Sequence, residues 1–463
     1  MNKGVISLNY LKSMIWLSFL AFCSVLNETV FNVSLPDIAA QYGISPAAAN
    51  WVNTSFMLTF AIGTALYGKL SDIYGIKKLL VIGLLLYGAG SVLGLILHAS
   101  YPGVIVARFM QGAGIGAVPA LMMVIVARCI EPSQQGRAFG LIGSMVAFGE
   151  AIGPVIGGMI TNHLHWSYLF ILPMLTLLTL PFFLQTLPSE PAREGKTDIL
   201  GATLLSLGIV AFTLYTTMFQ WFFLGICLIL FIGFAWRIRQ AEQPFIEPSL
   251  FHRKTFIVGV ITGSLLLGTV AGFIAMVPYL MKAVYQMPTS LIGAGILFPG
   301  TVSVILFGYL GGICVDRRGP IMTMGIGVGL ITISFLSVAW IPDRTPWLIT
   351  CAMVLTFGGL SFVKTVISTS VAGSLRSDES GSGMGFLNFA CFLAEGIGVA
   401  IVGGLLTKGW LSVPFLPSIT DTAAFLYSNM MLLFIIAIIG GSILFFAFYT
   451  RRSGKPEVSM TTK

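Results

Sequence analysis

The sequence predicts an all-α integral membrane protein: two six-helix bundles with two additional helices between them. Three observations carry this reading. The 463-residue chain is 56% hydrophobic and 9% charged, with a mean hydropathy of +0.93, and apolar runs of about 18 residues or more follow one another as spanning helices do. Its lysines and arginines fall almost entirely on one side of the alternating path. Two short motifs recur at nearly the same offset, so the chain carries an internal repeat.

Fourteen spans are expected, near 13–36, 48–67, 79–98, 103–127, 138–160, 166–186, 199–217, 220–236, 256–281, 290–313, 320–340, 346–371, 383–406 and 425–449. This divides the chain into an N-terminal bundle (1–187), two extra helices with flanking loops (188–255) and a C-terminal bundle (256–463). Basic residues precede the first span with no small-residue cleavage site after it, so that helix reads as retained. With the N-terminus inside, 20 of the 25 basic residues lie on the inner side, 3 on the outer side, and Arg108 and Lys364 within spans. This asymmetry puts both termini in the cytoplasm. The formal charge of +8 is scattered over short loops, which argues against nucleic-acid binding. The six cysteines lie in or beside apolar runs without paired spacing, so neither a disulfide nor a metal site is expected from them.

The repeat is legible in two places. GKLSDIYG (68–75) and GICVDRRG (312–319) share Gly-x-x-x-Asp-x-x-Gly at an offset of 244. EAIGPVIGG (150–158) and EGIGVAIVGG (395–404) share Glu-x-Ile-Gly and a trailing Gly-Gly, with the glutamates offset by 245. These matches set span 2 against span 10 and span 5 against span 13, in the same orientation. Parallel six-helix halves place a substrate path between them near the midplane.

A charge at bilayer depth costs about 2.5–3.5 kcal/mol or more, so it normally faces a cavity or a partner. Of seventeen acids only Glu28, Glu150 and Glu395 lie well inside spans, and the last two are repeat-related. A carboxyl that is neutral when occluded and ionised when wet or facing a cation suits proton-coupled exchange; the competing reading is a hydrogen-bonded packing residue. Arg108, before QGAGIG, is either a cationic partner for such a carboxylate or a packing residue. Lys364 lies deep in span 12 and Lys282 near the outer end of span 9; either can snorkel, Lys282 more readily.

In GEAIGPVIGG, Gly149, Gly153 and Gly157 recur every four residues, a face on which a second helix can pack closely, with Gly158 beside it. Pro154 removes a backbone donor and kinks the helix. The 68–79 segment, with Gly68, Asp72 and Gly75, reads as a short cytoplasmic loop. Asp72 and its counterpart Asp316 could latch that side against a helix N-terminus. HWSYLF (165–170) reads as an outer interfacial aromatic anchor. The four histidines form no ligand cluster, and no nucleophile–base constellation is legible.

GKLSDIYGIKK resembles the loop signature of the major facilitator superfamily, and GEAIGPVIGG its fifth-helix antiporter signature. NETVFNVSLP (27–36) resembles the first-helix signature of the fourteen-helix drug:proton antiporters, which usually has Asp at the position of Glu28. With HWSYL and VDRRGP, the set is similar to the tetracycline efflux proteins of Gram-positive bacteria. The resemblance implies a major facilitator fold in a bacterial cell membrane and antibiotic resistance by export of a tetracycline–divalent metal (Mg2+-type) chelate, a monovalent cation, in exchange for protons. Sodium or potassium exchange is a further implication. It also implies no permanently bound cofactor and no resident metal, with the drug chelate, protons and the lipid bilayer as partners and Na+ or K+ as further candidates. By motif position, Gly68, Asp72, Gly75 and Asp316 would serve the cytoplasmic gate. Arg108 would serve the proton relay, and Gly149, Gly153, Pro154, Gly157 and Gly158 the antiporter kink. Glu28, Glu150 and Glu395 would serve coupling or cation recognition. The second loop motif keeps only Gly312, Asp316 and Gly319, and no arginine in span 12 answers Arg108. Alternative substrates are quaternary-ammonium drugs, or mainly Na+ or K+. An enzyme lacks its constellation here, and a receptor would not explain matched acids in two halves.

Overall fold

Inside hydrocarbon every backbone N–H and C=O must bond within its own segment, which leaves the helix as the natural form for a chain this apolar. The computed structural model describes residues 10–130, 132–187, 198–241, 248–375 and 380–453, and the described residues contain helices and no strand. The helix α1 (Tyr10–Val30) passes through a 3₁₀ turn into α2 (Leu35–Tyr42), which Gly43 ends in the left-handed conformation. The helix α3 (Pro46–Tyr74) is capped by the Ser45 hydroxyl, which accepts from Ala48 N–H. Next come α4 (Ile76–Ile96), then α5 (Tyr101–Ile115) and α6 (Ala117–Cys129), joined at Gly116, and α7 (Pro132–His163). A 3₁₀ helix, Trp166–Thr179, runs into α8 (Leu180–Thr186). The pair α9 (Ile199–Met218) and α10 (Trp221–Gln240) precedes α11 (Lys254–Tyr285). The short α12 (Thr289–Leu291) continues through a π-helical turn into α13 (Phe298–Trp340), followed by α14 (Pro346–Ala372), α15 (Ser380–Lys408) and α16 (Phe425–Ser453).

Twelve helices among the described residues are long and apolar enough to cross a membrane. The 29-residue α3 is outside that set, since it carries Asn50, Asn53, Thr54 and Ser55, all turned into the protein interior. One of the twelve, a 52-residue run over 289–340, is broken at Gly319, where φ is 78° and ψ 171°. The expected loop at 68–79 is corrected here. The helix α3 persists to Tyr74, and Gly75 alone, at φ 79° and ψ 152°, turns the chain into α4. Gly75 and Gly319 are the last glycines of the two repeated loop motifs, so the repeat reappears as one backbone conformation. Only glycine adopts it without strain.

The same correspondence governs packing. The helix α7 lies along α1 and meets the α12–α13 segment of the other half; α15 lies along α11 and meets α3. Two seams between the halves are thus built from equivalent helices. Behind one seam, α9 packs on α15 and α3, with Gly404 against the carbonyls of Thr216 and Thr217. The outer α10 packs on α9 and leaves Trp221, Phe222, Ile229, Ile232 and Trp236 exposed, a surface suited to lipid. Asp198 holds this pair together: it caps α9 at Gly201 N–H and pairs with Arg237 of α10 at 2.9 Å.

The segment HWSYLF is not the interfacial anchor expected. Trp166 is buried, with its indole N–H donated to Gln41 of α2, and His165 Nδ1 accepts from Ser167 N–H to cap the 3₁₀ helix. Only Tyr168 of its aromatic residues is exposed.

Gly319 has open space around the position of a Cβ, so Gly319→Ala acts through backbone strain alone. It should cost about 1–3 kcal/mol and lower the unfolding temperature of the purified protein. Gly43→Asn, at φ 61° and also in open space, should leave it nearly unchanged, because asparagine tolerates the left-handed helical region. Equal losses from both substitutions would refute the assignment.

Candidate functional site

A cavity of about 290 Å³ lies between the halves, and the three deep carboxyls meet in it. Glu28 comes from the last turn of α1, Glu150 from the middle of α7, and Glu395 from α15. The walls are mainly apolar, including Met57, Leu267, Leu297, Val304, Phe357 and Val399. Lys364 of α14 also enters the cavity, its Nζ 3.8 Å from Glu395 Oε1. The Glu395 side chain is 11% exposed and that of Lys364 45%. The acid is therefore set into the wall while the ammonium reaches into the space. Sequence reasoning left Lys364 without a partner, and spacing gives no sign of this one: the two residues lie on different helices.

The glycines of GEAIGPVIGG are spent on two contacts. Gly149, Gly153 and Gly157 bring α7 onto α1, where a Cβ at 149 would sit 2.8 Å from the Phe22 carbonyl oxygen; Gly153 faces the Thr29 hydroxyl and Gly157 the Val30 carbonyl. Gly158 and Pro154 face the other half. A Cβ at 158 would stand 2.7 Å from the Thr289 carbonyl oxygen, and Gly293 abuts the Pro154 carbonyl. The Thr301 hydroxyl donates to the Ala151 carbonyl at 3.0 Å, one turn before the proline. Close approach of this kind is how helices associate where water supplies no driving force.

Arg108 is fully buried within the first half, outside the cavity lining. Its Nε donates to the Val52 carbonyl at 2.9 Å, and one terminal nitrogen donates to Gln111 Oε1 at 2.9 Å and Asn27 Oδ1 at 3.3 Å. The guanidinium lies between the rings of Phe31 and Phe56, 4.3 and 4.1 Å from their centroids. These hydrogen bonds go to neutral acceptors on three helices, α1, α3 and α5, so Arg108 ties the first half together.

Of the expected gate residues, Gly68 approaches Ala120 of α6, Gly75 forms the turn described above, and Asp316 is exposed at the end of the first part of α13. The side chain of Asp72 lies outside the described residues.

A latch does appear at the face opposite the start of α1 and the end of α16. Asp37 of α2 forms an ion pair with Lys282 near the end of α11, and Thr289 Oγ1 donates to the same carboxylate at 2.6 Å. Tyr279 Oη donates to Asn50 Oδ1 at 2.8 Å, and Asn50 Nδ2 donates to the Val399 carbonyl at 3.0 Å. Ala47 N–H donates to Thr407 Oγ1 at 2.9 Å. These contacts join the halves on one side of the cavity. Lys282, expected to snorkel, is thus an inter-half partner. Asp37 and Lys282 are separated by 245 positions, the repeat offset. Applying that offset to charged residues would have found the pair.

Residues 17–399 match the family model described as Major Facilitator Superfamily. The chain belongs to the Major Facilitator Superfamily. It is 25% identical to a riboflavin transporter, RibZ, of Clostridioides difficile (strain 630), over 84% of this chain and 86% of that protein. It is 26% identical to multidrug resistance protein 3 of Bacillus subtilis (strain 168), over 83% and 77% of the two. A solved structure of a POT family transporter in complex with 5-aminolevulinic acid shares the fold with a TM-score of 0.70, at 15% identity, covering 96% and 97% of the chains. This is a multi-pass membrane protein related to transporters.

The ion pair at the opposite face makes a prediction about accessibility. Lys282→Asp replaces attraction with repulsion, and the reciprocal double Asp37→Lys with Lys282→Asp restores it. A cysteine at Ala271 in the cavity wall, in a chain cleared of its own cysteines, should react with an impermeant maleimide added at that face several-fold faster in the single variant. The double should return to the parent rate. Equal rates in all three would show that the pair does not hold this face closed.

Proposed function

We propose that this chain is a proton-coupled exporter of hydrophobic monovalent cations, with a tetracycline–divalent metal chelate as the leading substrate. The observation that carries the reading is the convergence of Glu28, Glu150 and Glu395, from three helices and both halves, in one mainly apolar cavity. Apolar walls favour a drug-like surface, and carboxylates that accept either a proton or a cation make the two compete. Counting α3 and the two parts of α13 as separate crossings gives fourteen. With the basic residues inside, both termini then lie in the cytoplasm of a bacterial cell membrane. In that orientation the Asp37–Lys282 contacts close the outer face. Asp72 and Asp316 serve the cytoplasmic gate, and Gly75 and Gly319 give the rigid turns beside them.

The cycle follows from exchange at the carboxylates. A cation entering from the cytoplasm displaces protons, the halves rock about the site, and protons from outside displace the cation. A cavity of about 290 Å³ is at the small end for drug-sized ligands, so the halves part further as substrate enters. The divalent metal travels as part of the chelate and is cargo. Arg108 supports coupling by fixing α1, and with it Glu28, through Asn27. A second reading, export of quaternary-ammonium and other organic cations, is supported by the several relatives named as multidrug resistance or export proteins. Sodium or potassium exchange at the same carboxylates is the third.

Everted vesicles with an imposed pH gradient separate these readings. Accumulation of tetracycline–Mg2+ above that of vesicles lacking the protein supports the first, ethidium accumulation alone the second, and sodium/proton exchange alone the third. No gradient-driven movement of any of them overturns the proposal. Glu150→Gln and Glu395→Gln should each reduce accumulation at least tenfold while the protein remains in the membrane at normal level. Near-normal accumulation in both would return the two glutamates to a packing role.

A further inference from the structure

The cavity holds one feature that a simple proton-for-cation site does not need: a cation of its own. Lys364 Nζ stands 3.8 Å from Glu395 Oε1, close enough for strong attraction but beyond a direct hydrogen bond. The ammonium is thus paired electrostatically without being locked. The other titratable groups around it are Glu28 on α1, Glu150 on α7 and Cys391 on α15. Glu395 is almost enclosed and Lys364 is exposed to the cavity, so a cation arriving at Glu395 meets the ammonium as a competitor.

We propose that Lys364 is a tethered counter-ion that sets the charge of the substrate the cavity accepts. With all three carboxyls ionised, the ammonium brings the net charge of the site from −3 to −2, and its repulsion acts twice as strongly on a doubly charged cation as on a singly charged one, so it shifts the preference toward a single positive charge. When substrate or a proton takes Glu395, Lys364 is released from it and repels a second cation. This rests on the cation-exporter reading above and adds the charge rule to it.

The test uses two dyes with the same ring system, ethidium with one positive charge and propidium with two, and measures their binding to the purified full chain at fixed pH. Lys364→Met keeps length and removes charge. It should raise propidium affinity about tenfold or more and ethidium affinity by less, while Lys364→Arg should keep the parent preference. A merely structural lysine would change both dyes alike; an unchanged propidium-to-ethidium ratio in Lys364→Met overturns the proposal. A second readout does not depend on substrate. Carbodiimide modifies protonated carboxyls, and loss of the neighbouring ammonium favours the protonated form. Glu395, located by peptide mapping, should therefore be labelled several-fold faster in Lys364→Met than in the parent or Lys364→Arg at the same pH. If neither dye binds any variant yet labelling rises as expected, the organic-cation reading fails and the counter-ion role stands. Unchanged labelling removes the counter-ion role whatever the dyes do.

Discussion

A charge in the hydrocarbon interior must find polar partners, an opposite charge or a cavity, and this fold is arranged around meeting that demand. Three solutions occur within one chain. Arg108 is enclosed by carbonyl and amide oxygens and two aromatic faces. Glu395 is set beside Lys364, and Glu28 and Glu150 open onto the space between the halves. The first solution fixes a helix bundle. The second leaves an acid set into the wall beside its counter-charge, and the third leaves two acids open to the cavity.

Duplication explains why the cavity lies between the halves, and small residues explain how closely they meet. The helices α7 and α15 each lie on the first helix of their own half and press against the other half. The two seams are not alike. At the α3–α15 seam, Asn50 donates to the Val399 carbonyl, Ala47 bonds Thr407, and α9 stands behind. At the α7–α13 seam, the carbonyl of Pro154, the repeat equivalent of Val399, abuts a bare Gly293 within a π-helical turn. Proline removes a helix hydrogen bond, and a π turn relaxes the one opposite, so this seam is built from irregular backbone on both sides. Protein on the other side of the seam encloses that irregularity, which is the condition for tolerating it at membrane depth.

Much of this was legible in the residues. Composition and basic-residue bias give a helical membrane protein, and the offset motifs give two like halves. The depth of Glu28, Glu150 and Glu395 singles them out among the acids, and the structure places them together in one cavity. What was not legible depends on tertiary neighbours. Nothing local in α14 says that Lys364 faces Glu395, and nothing in QGAGIG says that Arg108 takes neutral partners. The 68–79 segment reads as a loop because it is polar and charged; it is mostly helix because one glycine makes the whole turn. Trp166 reads as interfacial from its type, but its indole N–H has a partner in Gln41, and with that satisfied the ring can be buried.

The repeat offset also carries a rule about charge. In a symmetric dimer, a residue on the two-fold axis meets its own copy, so a charged residue there repels itself. A fused duplicate escapes this, because its two copies can differ. Asp37 and Lys282 occupy equivalent positions and form an attractive pair at one face. Glu150 and Glu395 occupy equivalent positions but have kept the same charge, and both line the cavity. The first pair is complete in itself and can hold the halves together. The second is stable only when a proton, an internal ammonium or a bound cation offsets it. One pseudo-axis thus supplies both an attractive contact between the halves and a concentration of negative charge in the cavity between them.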